Sequence, residues 1–238
     1  MNATSAIVES VILYCVRTML GSDTPLNMGI LEPFTFQIPE SLLNPPTEAP
    51  PEARAPVFGG NTEISQKLVD LVFAALQQCA ASQGTMNNII FGNSTFGYYE
   101  TLGGGGGAGK DYQGATARHC HMTNTRLTDV EILEHNYPVR LIQTAIRKGS
   151  GGAGFWSGGD GLIREYEFLC DVDLSLLTQR RTTAPYGMNG GAAGTPGRNT
   201  LIRDGRESVL APLCQEKLKS GDRLRIETPG GGAYGAAP

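Results

Sequence analysis

The sequence keeps its glycines in runs. Gly103 to Gly107 are consecutive, Gly149 to Gly154 are interrupted only by Ser150 and Ala153, Gly158 to Gly161 only by Asp160, and Gly230 to Gly232 close the series. In all, 32 of 238 residues are glycine, about 13% and roughly twice the ordinary share. No Gly-X-Y period exists, which excludes a collagen-like chain. Glycine inside a helix or strand costs stability relative to alanine, so regular elements should lie between the runs. The runs themselves should be loops that need positive φ or close backbone approach. The length suits one domain or two closely joined layers.

Between the runs, Ile7 to Leu20 reads as a helix stopped by Gly21 and Pro25. Its apolar Ile7, Val11, Ile12, Tyr14, Cys15 and Met19 spread beyond one stripe and predict a largely buried helix. Phe34 to Ile38 alternates like a short strand. Five prolines between residues 44 and 58 predict an extended surface crossing. Asn61 or Thr62 is placed to cap a second helix with Glu63 at its positive end. Ile64, Leu68, Val69, Leu71, Val72, Ala75 and Leu76 would form its apolar face, fading near Ala81. Ser82 to Asn88 is a polar loop. Strands are expected at Asn88–Phe91 and Phe96–Leu102, around Gly92-Asn93. From Tyr137 the pattern turns to β, with strands at 139–146, 162–169, 172–177 and 222–228. A hairpin joins Thr200–Arg203 to Ser208–Leu210 through Asp204-Gly205. The predicted fold class is α+β: a mixed helical and strand part over residues 1–136, then a β-rich, sandwich or barrel-like part over residues 137–238.

Lys+Arg 19 against Asp+Glu 23 gives a net charge of -4, which argues against a nucleic-acid protein. No stretch reaches 18 apolar residues, so no membrane span is expected. The first apolar segment carries Glu9 and Arg17 and lacks a basic leader, unlike a secretory signal. Cys15, Cys79, Cys120, Cys170 and Cys214 are widely spaced without C-x-x-C, suggesting reduced thiols in a cytoplasmic protein.

Four segments invite chemistry. Gly104 to Lys110 imitates a phosphate loop, but Asp111 replaces the Ser/Thr that would hold magnesium, and no helix start follows. His119 and His121 would share a face if the segment is a strand. Thr123 to Arg126 is dense in hydrogen-bonding groups, and a guanidinium matches a carboxylate. Thr128 and Glu131 form a capping box for a helix over 129–135. Arg180 and Arg181 read as surface or interface charges. His119, His121 and Arg126 are expected on one concave surface near the Gly103–Gly109 loop.

Taken in order, several motifs form a recognisable set. They are Ser82-Gln-Gly-Thr-Met-Asn-Asn88, Gly97-Tyr-Tyr-Glu-Thr101 with the glycine run, His119 to Glu134, and Arg147-Lys-Gly-Ser-Gly-Gly-Ala-Gly154 with Gly158-Gly-Asp-Gly161. Arg164-Glu165, Ala184-Pro-Tyr-Gly187 and Thr228-Pro-Gly-Gly-Gly232 complete the set. The chain resembles the hydantoinase B / 5-oxoprolinase family from about Ile7 to Gly235, and within it the C-terminal part of the 5-oxoprolinases. Cys120 stands where Ser or Thr is more usual. The resemblance implies a hydrolase of cyclic amides, opening 5-oxo-L-proline to glutamate with ATP, cytoplasmic and linked to glutathione metabolism. The alternatives are a hydantoinase B-type subunit acting on hydantoins and a non-catalytic fragment or assembly module. ATP would belong to a hydantoinase A-type half or partner subunit, and the divalent metal to a hydantoinase B section preceding this stretch. This chain itself would then bind neither. It reads as a fragment whose complete enzyme is an oligomer, with a small cyclic amide as ligand and neither nucleic acid nor membrane as partner. His119, His121 and Glu100 are the expected catalytic residues, orienting or protonating the opened amide. Asn87, Asn88, Asn124 and Arg126 are the expected substrate-binding residues, Arg126 holding the carboxylate.

Overall fold

Helix α1 (Ser5–Leu20) ends where Gly21 turns to φ +84°. The computed structural model describes residues 2–237 apart from Ser22, Thr47 and Ala49. α1 is less buried than its composition predicts: Val11 and Cys15 are buried, Ile7 and Tyr14 partly so, and Met19 and Leu20 are exposed. The cause is its surroundings. It packs chiefly against a second helix and a 3-10 turn (Met28–Leu31), among the described residues, and not against a sheet. Residues 34–38 are extended without joining a strand, and the Phe34 and Phe36 rings stack at 6.4 Å. The described part of the proline-rich crossing is largely exposed, with one 3-10 turn at Pro51–Ala53.

The second helix begins differently from expectation. Gly59, at φ +77°, leads into one π-helical turn (Gly60–Ile64), so Asn61 and Thr62 lie inside that turn instead of capping. Helix α2 (Ser65–Ala75) follows and stops well before Ala81. Its inward side carries Val69 and Phe73, but also Glu63, Gln66 and Asp70 from the combined helical segment, all buried. Leu71 and Leu76, expected on the apolar face, point outward. The inner side of α2 meets the polar loop 82–88, every residue of which is buried. Partner polarity therefore decides which side turns in.

Among the described residues, nine antiparallel strands form two sheets. The first has order β2-β1-β5-β8, built from β1 (Asn88–Gly92), β2 (Gly97–Thr101), β5 (Val172–Leu177) and β8 (Leu213–Leu218). The second has order β3-β4-β9-β6-β7, built from β3 (Val139–Arg147), β4 (Gly161–Phe168), β9 (Arg223–Glu227), β6 (Arg198–Arg203) and β7 (Arg206–Val209). Neither sheet closes on itself, so the sandwich alternative holds and the barrel does not. β1 and β2 come from the first part of the chain and pair into the sheet that holds β5 and β8.

Alternation sets the shared core. Ile89 and Phe91 of β1, Leu174 and Leu176 of β5, Tyr166 and Phe168 of β4, and Leu224 and Ile226 of β9 turn into it. At about 25 cal/mol per Å² of apolar surface, this layer is the main stabilising term. The β6–β7 turn has Asp204 at φ +51° and Gly205 at φ +73°, the geometry a two-residue Asp-Gly hairpin requires. Helix α3 (Val130–Asn136) is capped by Asp129, whose carboxylate accepts from Glu131 N and Ile132 N. Thr128, expected as that cap, is drawn away into the interior described below.

The glycine runs form the remaining body. Segments 80–83, 104–109, 151–159 and 229–235 form no regular helix or strand and bond to one another in several directions. Gly105 N donates to Pro229 O, Gly159 N to Gly106 O, Gly231 N to Gly159 O, and Gly232 N to Ala81 O. A Cβ on Gly107 would lie 1.9 Å from Ala80 O, and one on Gly105 2.0 Å from Gly159 O. At these two positions glycine serves close approach, since neither has positive φ.

Candidate functional site

A cavity of ≈ 570 Å³ opens where α1, α2 and the glycine segments meet. Tyr14, Thr18 and Met19 form one wall, and Phe73 and Cys79 another. Ser82, Gly106 and Gly107 form part of its floor, and Lys110, Tyr112, Arg118, His119, Cys120 and His121 also line it.

Residues 119–121 are not a strand, and His121 has φ +55°. The two histidines therefore do not share a strand face, although both line the same cavity. Gly104 N donates to Arg118 O and Arg118 N to Gly104 O. This fixes the segment's start against the glycine run, after which the left-handed residue redirects the chain.

Asp70 anchors His121. Its Oδ1 lies 3.2 Å from His121 Nε2 and accepts from Ser82 N at 2.9 Å. Its Oδ2 sits 3.6 Å from the Arg180 guanidinium, and its backbone carbonyl accepts from Tyr186 OH. The carboxylate is 2% exposed. A carboxylate at Nε2 selects the tautomer that carries its proton there and leaves the Nδ1 lone pair available. The ring packs edge-on against Tyr14 and tilted against Phe73.

His119 is held differently. Its Nε2 lies 3.3 Å from Thr125 Oγ1, which is 2.8 Å from Thr101 Oγ1, while its Nδ1 is buried without a protein partner. Burial pulls its pKa below the ordinary value, partly opposed by the charge of Glu100. The thiols are poor nucleophiles, because burial pushes Cys120 and Cys15 up to about 12 and Cys79 to about 11. All five cysteines are free thiols.

The other expected site residues lie away from the cavity lining. Glu100 is buried: its Oε1 accepts from Thr128 N at 2.8 Å, its Oε2 accepts from Tyr166 OH at 2.7 Å, and Arg164 Nε stands 3.4 Å from Oε2. Arg164 also donates to Thr128 O, which explains why Thr128 does not cap α3. Asn87 bonds Gln83, Leu102 O and Arg181, and Asn88 bonds Glu63, Leu177 O and Tyr99. Asn124 and Arg126 are exposed. Arg180 and Arg181 correct the surface reading. Arg181 turns inward to Asn87, Asn199 and Gln179 O, and Arg180 to Asp70 and Ala184 O.

Asp70, Ser82 and Arg118 were not among the residues expected from the sequence, although Ser82 opens the motif that holds Asn87 and Asn88 and Arg118 directly precedes His119. One signal was present for Asp70: Glu63, Gln66 and Asp70 fall at helical spacing on a segment read as apolar. A polar stripe within an apolar helix indicates a polar partner.

A triphosphate does not fit the glycine run. The amides of Gly104, Gly105, Gly106, Ala108 and Gly109 donate to backbone carbonyls, and that of Gly107 donates to Ser82 Oγ, so the loop has no cradle of free N–H groups to offer. Among the described residues, no three His, Cys, Asp or Glu are grouped to hold a metal ion. Among them also, no helix is long and apolar enough to cross a membrane.

This arrangement defines a class: an α+β protein with two antiparallel sheets, whose glycine-packed body carries an Asp–His pair at an open cavity. The family profile described as Hydantoinase B/oxoprolinase matches residues 1–237, and the chain belongs to that family. It is 46% identical to 5-oxoprolinase 1 of Arabidopsis thaliana over 99% of its own length and 18% of the relative's. It is 42% identical to the 5-oxoprolinase of Dictyostelium discoideum over 98% of this chain and 18% of the other. Its fold matches that of the ATP-dependent caprolactamase from Pseudomonas jessenii with a TM-score of 0.80 at 23% identity, covering all of this chain and 45% of that one. The chain thus spans about a fifth of the length of these curated relatives.

Proposed function

We propose that this chain forms one wall of the amide-hydrolysing site of a 5-oxoprolinase-type enzyme, which opens 5-oxo-L-proline to glutamate with ATP. The observation that carries the reading is the His121–Asp70 pair at the cavity, beside His119 and Ser82. Asp70 fixes the tautomer, so His121 Nδ1 is the atom that takes up and returns a proton at the lactam or its attacking water. Neutral His119 supplies a second hydrogen-bonding nitrogen. Glu100, Asn87 and Asn88 act through the scaffold: Glu100 sets the corner at Thr128, and the asparagines fix the loop that presents Ser82. The 46% and 42% identities to 5-oxoprolinases favour 5-oxoproline over hydantoins. ATP activation and the divalent metal belong to a hydantoinase A-type partner and to hydantoinase B sections outside this stretch, in an oligomeric assembly.

The test is reconstitution. The chain is combined with those complementary sections, ATP and a divalent metal, and glutamate release from 5-oxoproline is followed. His121→Ala and Asp70→Asn should each lower kcat by about a hundredfold or more. Undiminished turnover in both variants would remove His121 from the chemistry.

A further inference from the structure

We infer that Arg118 is the specificity-determining residue of this cavity, holding the carboxylate of an anionic cyclic amide and so discriminating against uncharged rings. The inference rests on reading the cavity as an amide site and adds what selects the substrate. Two cationic side chains, Lys110 and Arg118, line the cavity, and no aspartate or glutamate does. The nearby Asp70 is engaged by Ser82, His121 and Arg180. Cys120 is held as a neutral thiol by burial. The cavity wall is therefore net positive, which draws in a small anion.

Arg118 is placed for this work. Its two backbone hydrogen bonds to Gly104 fix where its side chain starts, one residue before His119. Among the described residues no carboxylate lies within ion-pair distance of its guanidinium, in contrast to Arg164, Arg180, Arg203, Arg223 and Arg225. A planar guanidinium without an internal partner is suited to bidentate capture of a carboxylate. Arg126, expected in this role from the sequence, is exposed as Arg118 is, but it lies outside the lining. The cavity of ≈ 570 Å³ leaves room for a five-membered ring beside it.

The experiment compares two rings that differ only in the carboxylate. The 1H–15N spectrum of the full chain is titrated with 5-oxoproline and with 2-pyrrolidone. 5-Oxoproline should shift the amides of Gly106, Gly107 and His119 to His121, and 2-pyrrolidone should bind about tenfold or more weakly, the usual value of one charge-assisted hydrogen bond. Arg118→Gln should remove most of that difference, and Arg118→Lys should restore part of it. Equal binding of the two rings in the cavity would overturn the assignment while leaving the amide-site reading intact. Absence of cavity shifts with 5-oxoproline would overturn it as well, and so would loss of discrimination in Arg126→Gln instead of Arg118→Gln. The two-ring comparison on the unmodified chain stands whether or not a variant folds.

Discussion

Single buried charges do much of the organising. Glu63 is wholly buried, accepts from Thr85 and Asn88, and is pushed up to about 7 by burial. Its folded pKa lies above its unfolded one, so the folded state holds the proton more tightly. The full stability is present below the unfolded carboxylate value and declines as pH rises, levelling above about 7. Between about pH 5 and pH 8, the Tm of the unmodified chain should therefore fall relative to that of Glu63→Gln, which keeps an acceptor for Thr85 and Asn88 but cannot ionise. Parallel Tm profiles would show that Glu63 does not titrate there. Glu100 belongs to the opposite case, an ion pair with Arg164 in which both residues are nearly inaccessible. Glu100→Ala leaves that guanidinium uncompensated and should cost about 3–5 kcal/mol, read as a shift in the urea midpoint. A variant of unchanged stability and reduced turnover would return Glu100 to the chemistry.

At the scale of elements, the glycine segments are as sequence-specific as any strand. Gly107→Ala sets a methyl against Ala80 O at 1.9 Å, and both partners are backbone, so neither can yield by rotating a side chain. The variant should lose about 3 kcal/mol or more. Gly205→Ala has open space around its Cβ but φ +73° and should lose about 1 kcal/mol. Comparing the two by chemical denaturation separates close packing from backbone strain, and equal losses would contradict the account. The hairpin and six further strands were legible because alternation and Asp-Gly chemistry are local. β8 escaped notice because only Leu218 in it is buried, leaving little alternation to read. The proposed strand at 34–38 has the alternation but no neighbour to complete its ladder.

The molecule as a whole presents an open cavity, and its glycine-run amides are already paired. The isolated chain should show no micromolar binding of ATP with magnesium by calorimetry, and it should release no glutamate from 5-oxoproline above a heat-killed control. Micromolar binding would mean that a phosphate cradle exists elsewhere on this surface. Release of glutamate would mean that the wall described here suffices alone. In the reconstituted enzyme, by contrast, activity should return and depend on His121.

The sequence by itself determined the α+β class, most strands, the family and the glycine segments, because each depends on local periodicity, turn chemistry or ordered motifs. It also supplied both cavity histidines, though through a strand geometry the fold does not have. Only the tertiary structure decided which charges face inward. Asp70 meets His121 across 51 positions, and Arg181 meets Asn87 across 94. No window of sequence contains such pairs. Their burial follows from the polar surface that loop 82–88 presents to α2, and that loop is held in turn by the distant glycine run, through Gln83 N to Gly105 O and Gly107 N to Ser82 Oγ.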